Sequence, residues 1–332
     1  MPTAQHSPES LVRDQIDRLH DELPGVRDGD DEAIHDARVA TRRLREALPL
    51  TQVGGPEREK ARRLLRRTGR RLGRIRDLDV MLELAIAAVQ RLPAAAVPLQ
   101  HLMVELRASR DERLRRAVKR LERQDRKATL APIRSNGRAA WWPAFAAQIP
   151  PLRRATLRAV GAPWAGTLAD RILTRTDALD LAVARAGGVN FPNRVHAVRI
   201  AAKKLRYALE AAHALGTFHV PGALALLKRV QDVLGDLHDR HVFLQAVTER
   251  ASEGGPEHAA AFDAVRAYVE TECRDLHRRY LEERDELMEL CEMARAAVRP
   301  RRAGLVTQAV LVGAAVGALA VRPAVRRLRR AG

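Results

Sequence analysis

One motif of helical spacing occurs twice in this chain of 332 residues. Residues 35–45 read HDARVATRRLR, and residues 196–206 read HAVRIAAKKLR. In both copies a histidine is followed by cationic residues three, seven, eight and ten positions later. A repeat that served packing alone would keep its apolar residues and let its charges vary. The repeat therefore predicts that these charges have a function.

A second motif is repeated at nearly the same separation. Residues 64–77 read LLRRTGRRLGRIRD, and residues 226–239 read LLKRVQDVLGDLHD. The separations of the two motif pairs differ by a single residue, so one insertion or deletion relates the copies. We therefore predict an internal duplication and an all-α fold of two pseudo-symmetric four-helix bundles.

The rest of the sequence supports a helical fold. Apolar residues make up 46% of the chain but aromatic residues only 3%, which suits cores of packed helices built from Leu, Val, Ile and Ala. Apolar positions recur at helical spacing between Gly and Pro breakers, and Pro24 with Gly25 ends the first such segment. The predicted helices are 7–23, 30–50, 56–92 and 97–127 in the first copy, and 166–187, 192–215, 221–252 and 256–297 in the second.

Four regions follow from these segments. Residues 8–127 form the first bundle and 166–297 the second. Residues 128–165 are rich in Pro and Gly and predict a linker. There Trp141 and Trp142 suggest a plug between the bundles or, as the alternative, a stacking platform. Residues 298–332 form a basic-flanked tail.

The repeated motif places its cations beside the core. At about 100° per residue, His35, Arg38, Arg42 and Arg45 share a sector of about 80° next to the apolar face, and Arg43 points elsewhere. Guanidinium groups at the edge of a core repel one another and lose hydration, so an anion must neutralise them. The candidate internal acids are Asp77, Asp79, Asp236, Asp239 and Glu210.

The net charge indicates a polyanionic partner. Lys and Arg number 59 against 41 Asp and Glu, a net charge of +18, and only six of the cationic residues are Lys. Arginine binds phosphate oxygens through its planar fork, which favours a phosphorylated polymer as ligand. An anionic membrane surface and a general arginine enrichment of the genome are the alternatives.

The histidines leave three interpretations open. A polyanion nearby would raise the pKa of His35 and His196 and make them additional cations. They would otherwise be metal ligands or hydrogen-bonded core residues. His238 and His241 form an HxxH pair that the first copy lacks, and no metal or cofactor is predicted. The chain carries no recognisable catalytic motif, which favours a binding protein over an enzyme.

The string HxxRVAxRRLR, followed by LGxxRDxDV at residues 72–80, resembles the CHAD domain, the conserved histidine α-helical domain. The resemblance covers about residues 8–297 and implies two four-helix bundles whose basic surfaces line a central groove that binds inorganic polyphosphate. It also implies association with polyphosphate granules in bacteria, in the cytoplasm. Many relatives carry a fused CYTH triphosphatase domain, whose ExExK motif is absent from this sequence, so we expect binding without hydrolysis.

The resemblance also implies which residues bind the ligand. In the first copy these are His35, Arg38, Arg42, Arg43, Arg45, Arg66 and Arg67. In the second copy they are His196, Arg199, Lys203, Lys204, Arg206, Lys228 and Arg229. Because His238 and His241 replace Arg76 and Asp79 of the first copy, the second copy is expected to bind more weakly or to respond to pH.

Two predictions concern the tail and the choice of ligand. Residues 305–321 form an uncharged run flanked by arginines, about 26 Å long as a helix. This C-terminal apolar helix is a membrane anchor, a helix packed on the bundles or on a second protomer, or a disordered segment. Non-specific nucleic-acid binding is the alternative function, although low aromatic content argues against stacking on single strands. An enzyme of phosphate metabolism is the third hypothesis.

Overall fold

A computed structural model describes residues 7–53, 55–129, 163–253 and 255–298. Nine α-helices lie in these ranges, which confirms the all-α prediction. The first group comprises α1 (Pro8–Asp28), α2 (Asp31–Ala47), α3 (Gly55–Arg91) and α4 (Ala96–Thr129). The second comprises α5 (Pro163–Ala186), α6 (Pro192–Ala214), α7 (Ala223–Glu253), α8 (Ala259–Glu282) and α9 (284–298).

The predicted end of the first helix at Pro24 is wrong. Helix α1 continues through Pro24 and ends at Gly29, whose left-handed φ of 81° lets its N–H bond the carbonyls of Gly25 and Val26. Val26 is fully buried, in step with Val12, Ile16, Leu19 and Leu23 before it, so packing outweighs the hydrogen bond that a proline cannot donate. The prediction took Pro24 as a helix end and did not consider the apolar Val26 that follows it.

The predicted helix 256–297 is also wrong, because it is interrupted at Glu283. Neither Gly nor Pro marks this interruption, which explains why the breaker pattern missed it. The turn places the Glu283 carboxylate 2.9 Å from Nη2 of Arg229 on α7. Helix α9 then packs on the other helices of the second group through Leu287, Leu290 and Cys291, which are completely buried.

Consecutive helices pack on one another in the same order within each group, from α1 to α4 and from α5 to α8. The two groups meet where α2 contacts α6 and α3 contacts α7, which are the four helices that carry the repeated motifs. This arrangement follows the predicted symmetry, and the duplication itself stays a prediction.

Two apolar cores lie within this framework. One is formed by α1, α2, the first half of α3 and Ala117 of α4. The other contains the helices of the second group together with the far ends of α3 and α4, among them Ala85, Leu99 and Met103. The long α3–α4 hairpin therefore joins both cores and fixes the position of one group against the other.

None of the described helices combines the length and the apolar character needed to cross a bilayer. The tail run at 305–321 and the pair Trp141 and Trp142 lie outside the described residues, so the predictions made for them stay predictions.

Candidate functional site

The repeated motifs face each other where α2 contacts α6. In each copy one arginine of the first motif, Arg38 or Arg199, lies next to a glycine of the second motif on the following helix. A methyl group added at Gly73 would lie 3.5 Å from Nε of Arg38, and one added at Gly235 would lie 3.8 Å from Nε of Arg199. The glycines leave a shallow space in which these side chains pack closely against α3 and α7. The glycine of the second motif thus makes room for the arginine of the first motif in the same copy.

Two carboxylates lie beside these arginines. Asp77 Oδ1 is 3.9 Å from Nη2 of Arg38, which confirms Asp77 as an internal partner. Arg199 is the strongest charged neighbour of Asp239, and burial raises the pKa of that carboxyl while Arg199 opposes the rise. Asp77 is also a charged neighbour of Arg199, so the site draws on both halves of the chain.

The cations at this junction outnumber the carboxylates. Burial lowers the pKa of Arg38 to about 10, with a further contribution from Arg42. Burial and then Arg199, Arg42 and Arg38 lower the pKa of Lys203 to about 6. We call Arg38, Arg42, Arg199 and Lys203 the central cluster. These four groups share the two carboxylates Asp77 and Asp239, so the cluster holds more basic groups than acidic ones.

Other predicted ligand residues are held by acids. Glu210 lies between the motifs, with Oε2 3.1 Å from Nε of Arg43 and Oε1 3.3 Å from Nε of Arg206. The prediction that Glu210 neutralises part of the basic stripe is confirmed. Arg229 on α7 lies 2.9 Å from both Glu283 and Glu286.

The remaining predicted cations are exposed to solvent, outside the central cluster: Arg45, Arg66, Arg67, Lys204 and Lys228.

Asp79 was predicted as an acid that could pair with the basic stripe, but it pairs elsewhere. It is buried and forms an ion pair with Arg110 on α4. Arg110 also donates a hydrogen bond of 2.7 Å to the carbonyl of Gly29 at the end of α1. This acid therefore ties α3 to α4 and α1, which the separation along the sequence does not reveal.

The histidines differ between the copies. His35 is exposed, whereas the His196 ring lies 4.3 Å from the ring of His238, measured between centroids. Burial and then the cations Arg199 and Lys203 lower the pKa of His196. Burial, His196 and Arg199 lower the pKa of His238 to about 4. Without a bound anion, this pair is neutral at pH 7.

The lowered pKa of His238 predicts that the folded protein loses stability in acid. The unfolded chain binds a proton at His238 near pH 6.5, but the folded protein binds it only near pH 4, so the stability held above pH 6.5 is lost as the pH falls towards 4. Between pH 7 and 5 we expect His238 to lower the free energy of unfolding by about 1–2 kcal/mol. Urea denaturation across this range measures the effect.

The control for this experiment is the exposed His213. His238→Gln should make the pH dependence between 7 and 5 shallower, and His213→Gln should leave it unchanged. Equal slopes for wild type and His238→Gln would contradict the assignment.

Within the described ranges, no group of three or more His, Cys, Asp or Glu side chains is arranged to hold a metal ion. His238 faces His196, and His241 has His277 of α8 as a charged neighbour.

Tyr207 was missed in the sequence. It is buried, and it is an electrostatic neighbour of both Arg38 and Arg199. Its ring centroid lies 5.3 Å from Cζ of Arg206, within the range of a cation–π contact. Since Tyr207 follows Lys203 by four residues, helical spacing alone would have placed it next to the stripe.

Comparisons with known proteins agree with this architecture. The family model of the CHAD domain matches residues 10–248. The crystal structure of the CHAD domain from the plant Ricinus communis is 22% identical, covers 86% of this chain and 90% of its own, and has a TM-score of 0.56. PptA from Streptomyces chartreusis is 20% identical, with 83% and 97% of the two chains covered and a TM-score of 0.51. At these identities the two structures show the fold alone. No curated protein matches the chain.

Proposed function

Because the chain belongs to the CHAD domain family, which is associated with polyphosphate binding, we propose that it binds inorganic polyphosphate at the central cluster and does not hydrolyse it. The observation that carries this proposal is the central cluster itself. Two arginines from equivalent motifs converge at the junction of α2 and α6, where with Arg42 and Lys203 they outnumber the carboxylates of Asp77 and Asp239.

The chemistry of the polymer fits this geometry. Polyphosphate repeats a negative charge along a flexible chain, so one molecule can neutralise cations of both halves at once. Arg38 and Arg199 offer planar forks that suit pairs of phosphate oxygens. A bound anion would also raise the pKa of Lys203 from about 6, adding a positive charge to the cluster only when the ligand is present.

We further propose that the protein associates with polyphosphate granules in the cytoplasm. Binding at a fixed cluster would attach the protein to a granule surface, where free polymer ends and loops are exposed. Absence of hydrolysis is part of the proposal, and its test is phosphate release on incubation with polyphosphate and a divalent cation.

Nucleic-acid binding is the competing function for such a basic protein. Tyr207, the aromatic side chain next to the central cluster, is buried and offers no face on which a base stacks. A duplex would instead be held by its phosphates alone, with an affinity that falls steeply with salt.

Competition distinguishes the two functions. Labelled long-chain polyphosphate bound to the protein is titrated with unlabelled polyphosphate, duplex DNA or single-stranded RNA at matched phosphate concentration and several salt concentrations. We expect polyphosphate to displace the label at about a tenth of the concentration that either nucleic acid requires, the equivalent of about 1.4 kcal/mol in binding free energy. Equal displacement by all three polymers would contradict the proposal.

A further inference from the structure

The exposed faces of α3 and α7 carry different net charges although their motifs correspond. On α3 the exposed face holds five arginines, which we call the α3 ridge: Arg63, Arg66, Arg67, Arg70 and Arg74. The positions that correspond to them on α7 are also exposed: Ala225, Lys228, Arg229, Asp232 and Asp236. One face has five positive charges, and on the other two positive and two negative charges cancel.

Ion pairs increase this difference. Arg229 of α7 is neutralised by Glu283 and Glu286, each at 2.9 Å. Its counterpart Arg67 forms no ion pair with any side chain that the structure describes, nor do the other four members of the α3 ridge. Arg67 instead has a cationic neighbour in Arg71, whose pKa is lowered by burial and then by Arg120 and Arg67. Among the side chains that the structure describes, the ridge is therefore a surface of unpaired positive charge.

The ridge is continuous with the central cluster. Arg66 and Arg70 lie in line along α3 with Gly73 and Asp77, the two residues that contact Arg38. Arg45 on α2 provides a second connection, because both Arg42 and Arg66 are its charged neighbours. From Arg63 to Arg74 the ridge extends the cationic surface by about 17 Å.

We propose that the polymer leaves the central cluster in one direction, along the α3 ridge and not along α7. The proposal rests on the proposed function and adds a path to it. The half-buried cluster holds a short phosphate segment, and the ridge adds contacts only for chains long enough to reach it. The two copies of the repeated motif thus have different roles, with the second copy ending the bound segment and the first extending it.

A charge-neutral ridge tests this path. In the variant Arg63→Gln, Arg70→Gln, Arg74→Gln, we expect the affinity for long-chain polyphosphate to fall about tenfold, because three exposed charge contacts with the polymer are lost together. The affinity for tripolyphosphate, which occupies the cluster alone, should remain that of the wild type. The slope of log affinity against log salt for the long polymer should decrease by about two, by analogy with single-stranded nucleic acids.

The matched control removes the same number of exposed charges elsewhere. Arg274→Gln, Arg278→Gln, Arg279→Gln does so on α8 and should bind both polymers within about twofold of wild type, since it changes the net charge equally and otherwise removes exposed contacts within α8, to Asp275 and Thr271. If the control loses as much affinity for the long polymer as the ridge variant, the ridge is not a path. An equal loss for tripolyphosphate, or a loss for duplex DNA alone, would also overturn it.

This design separates the path from the function on which it rests. Wild-type protein that binds neither tripolyphosphate nor long-chain polyphosphate would disprove the proposed function. Wild-type protein that binds both, together with a ridge variant that matches the α8 control, would disprove only the path.

Discussion

The double variant Arg38→Gln, Arg199→Gln is expected to bind polyphosphate about a hundredfold more weakly than wild type. Each arginine supplies a charge-assisted contact from a half-buried position, and two such contacts contribute about 3 kcal/mol in total. Unlike the ridge arginines, they act on short and long polymers alike, because they lie where any bound segment must sit. The affinities for tripolyphosphate and for the long polymer should therefore fall by the same factor.

A fluorescence titration at two or more salt concentrations measures this loss. The control is Arg274→Gln, Arg278→Gln, which removes two exposed arginines of α8 and so gives the same net charge. Circular dichroism checks that the double variant keeps its helices. A folded double variant with wild-type affinity and an unchanged salt slope would place the site elsewhere.

A conservative pair of substitutions separates charge from geometry. Lysine keeps the positive charge but lacks the planar fork that contacts two oxygens. Arg38→Lys, Arg199→Lys should therefore recover only part of the affinity. Full recovery would mean that the cluster acts through charge alone.

Helical periodicity predicted most of the fold because these helices bury a continuous apolar face. In α2 the apolar positions around Ile34, Ala37 and Leu44 define the face that the structure buries. Such signals are local, since each residue is judged with neighbours three or four positions away. The errors at Pro24 and Glu283 arose where contacts with other helices determined the outcome.

The sequence predicted which cations belong to the site, but not which of them are paired with acids. The phase of the stripe placed Arg38 and Arg199 at the edge of the core, where both lie half-buried. Which cations acids neutralise depends on the register between the two halves, as for Arg43 with Glu210 across the junction. No pattern within one helix contains that register, so the sequence showed that Arg43 points away from the stripe but not that Glu210 of the other half lies within reach of it.

Of the described residues, Lys203 is the one whose pKa burial and the central cluster lower furthest from its usual value. Its ammonium group is held beside Arg199 and Arg42 with its pKa near 6, far below the usual value for lysine. Between pH 6 and 10 the unfolded chain binds a proton that the folded protein does not, so this group makes stability increase with pH over that window. A residue that served the fold would stabilise it, whereas Lys203 at neutral pH destabilises the free protein.

Lys203→Met is therefore expected to raise stability and to weaken binding. Methionine has a similar volume and no charge to desolvate, so the free energy of unfolding at pH 7 should increase by about 1–3 kcal/mol. Polyphosphate affinity should fall about tenfold, because the bound state loses one cation of the cluster, a contact of about 1.5 kcal/mol. Urea denaturation and titration with the polymer measure the two effects.

Proton uptake gives a readout that packing alone would not change. Since Lys203 is mostly neutral in the free protein at pH 7.5 and charged beside a bound phosphate, wild type should take up protons on binding. Binding enthalpies in two buffers of different ionisation enthalpy measure that uptake, which should decrease in Lys203→Met. Lys204→Met on the same helix is the control, because Lys204 is exposed and its loss should change stability by less than about 0.5 kcal/mol. A Lys203→Met protein that is less stable than wild type, with unchanged uptake, would show that this lysine supports the fold and not the ligand.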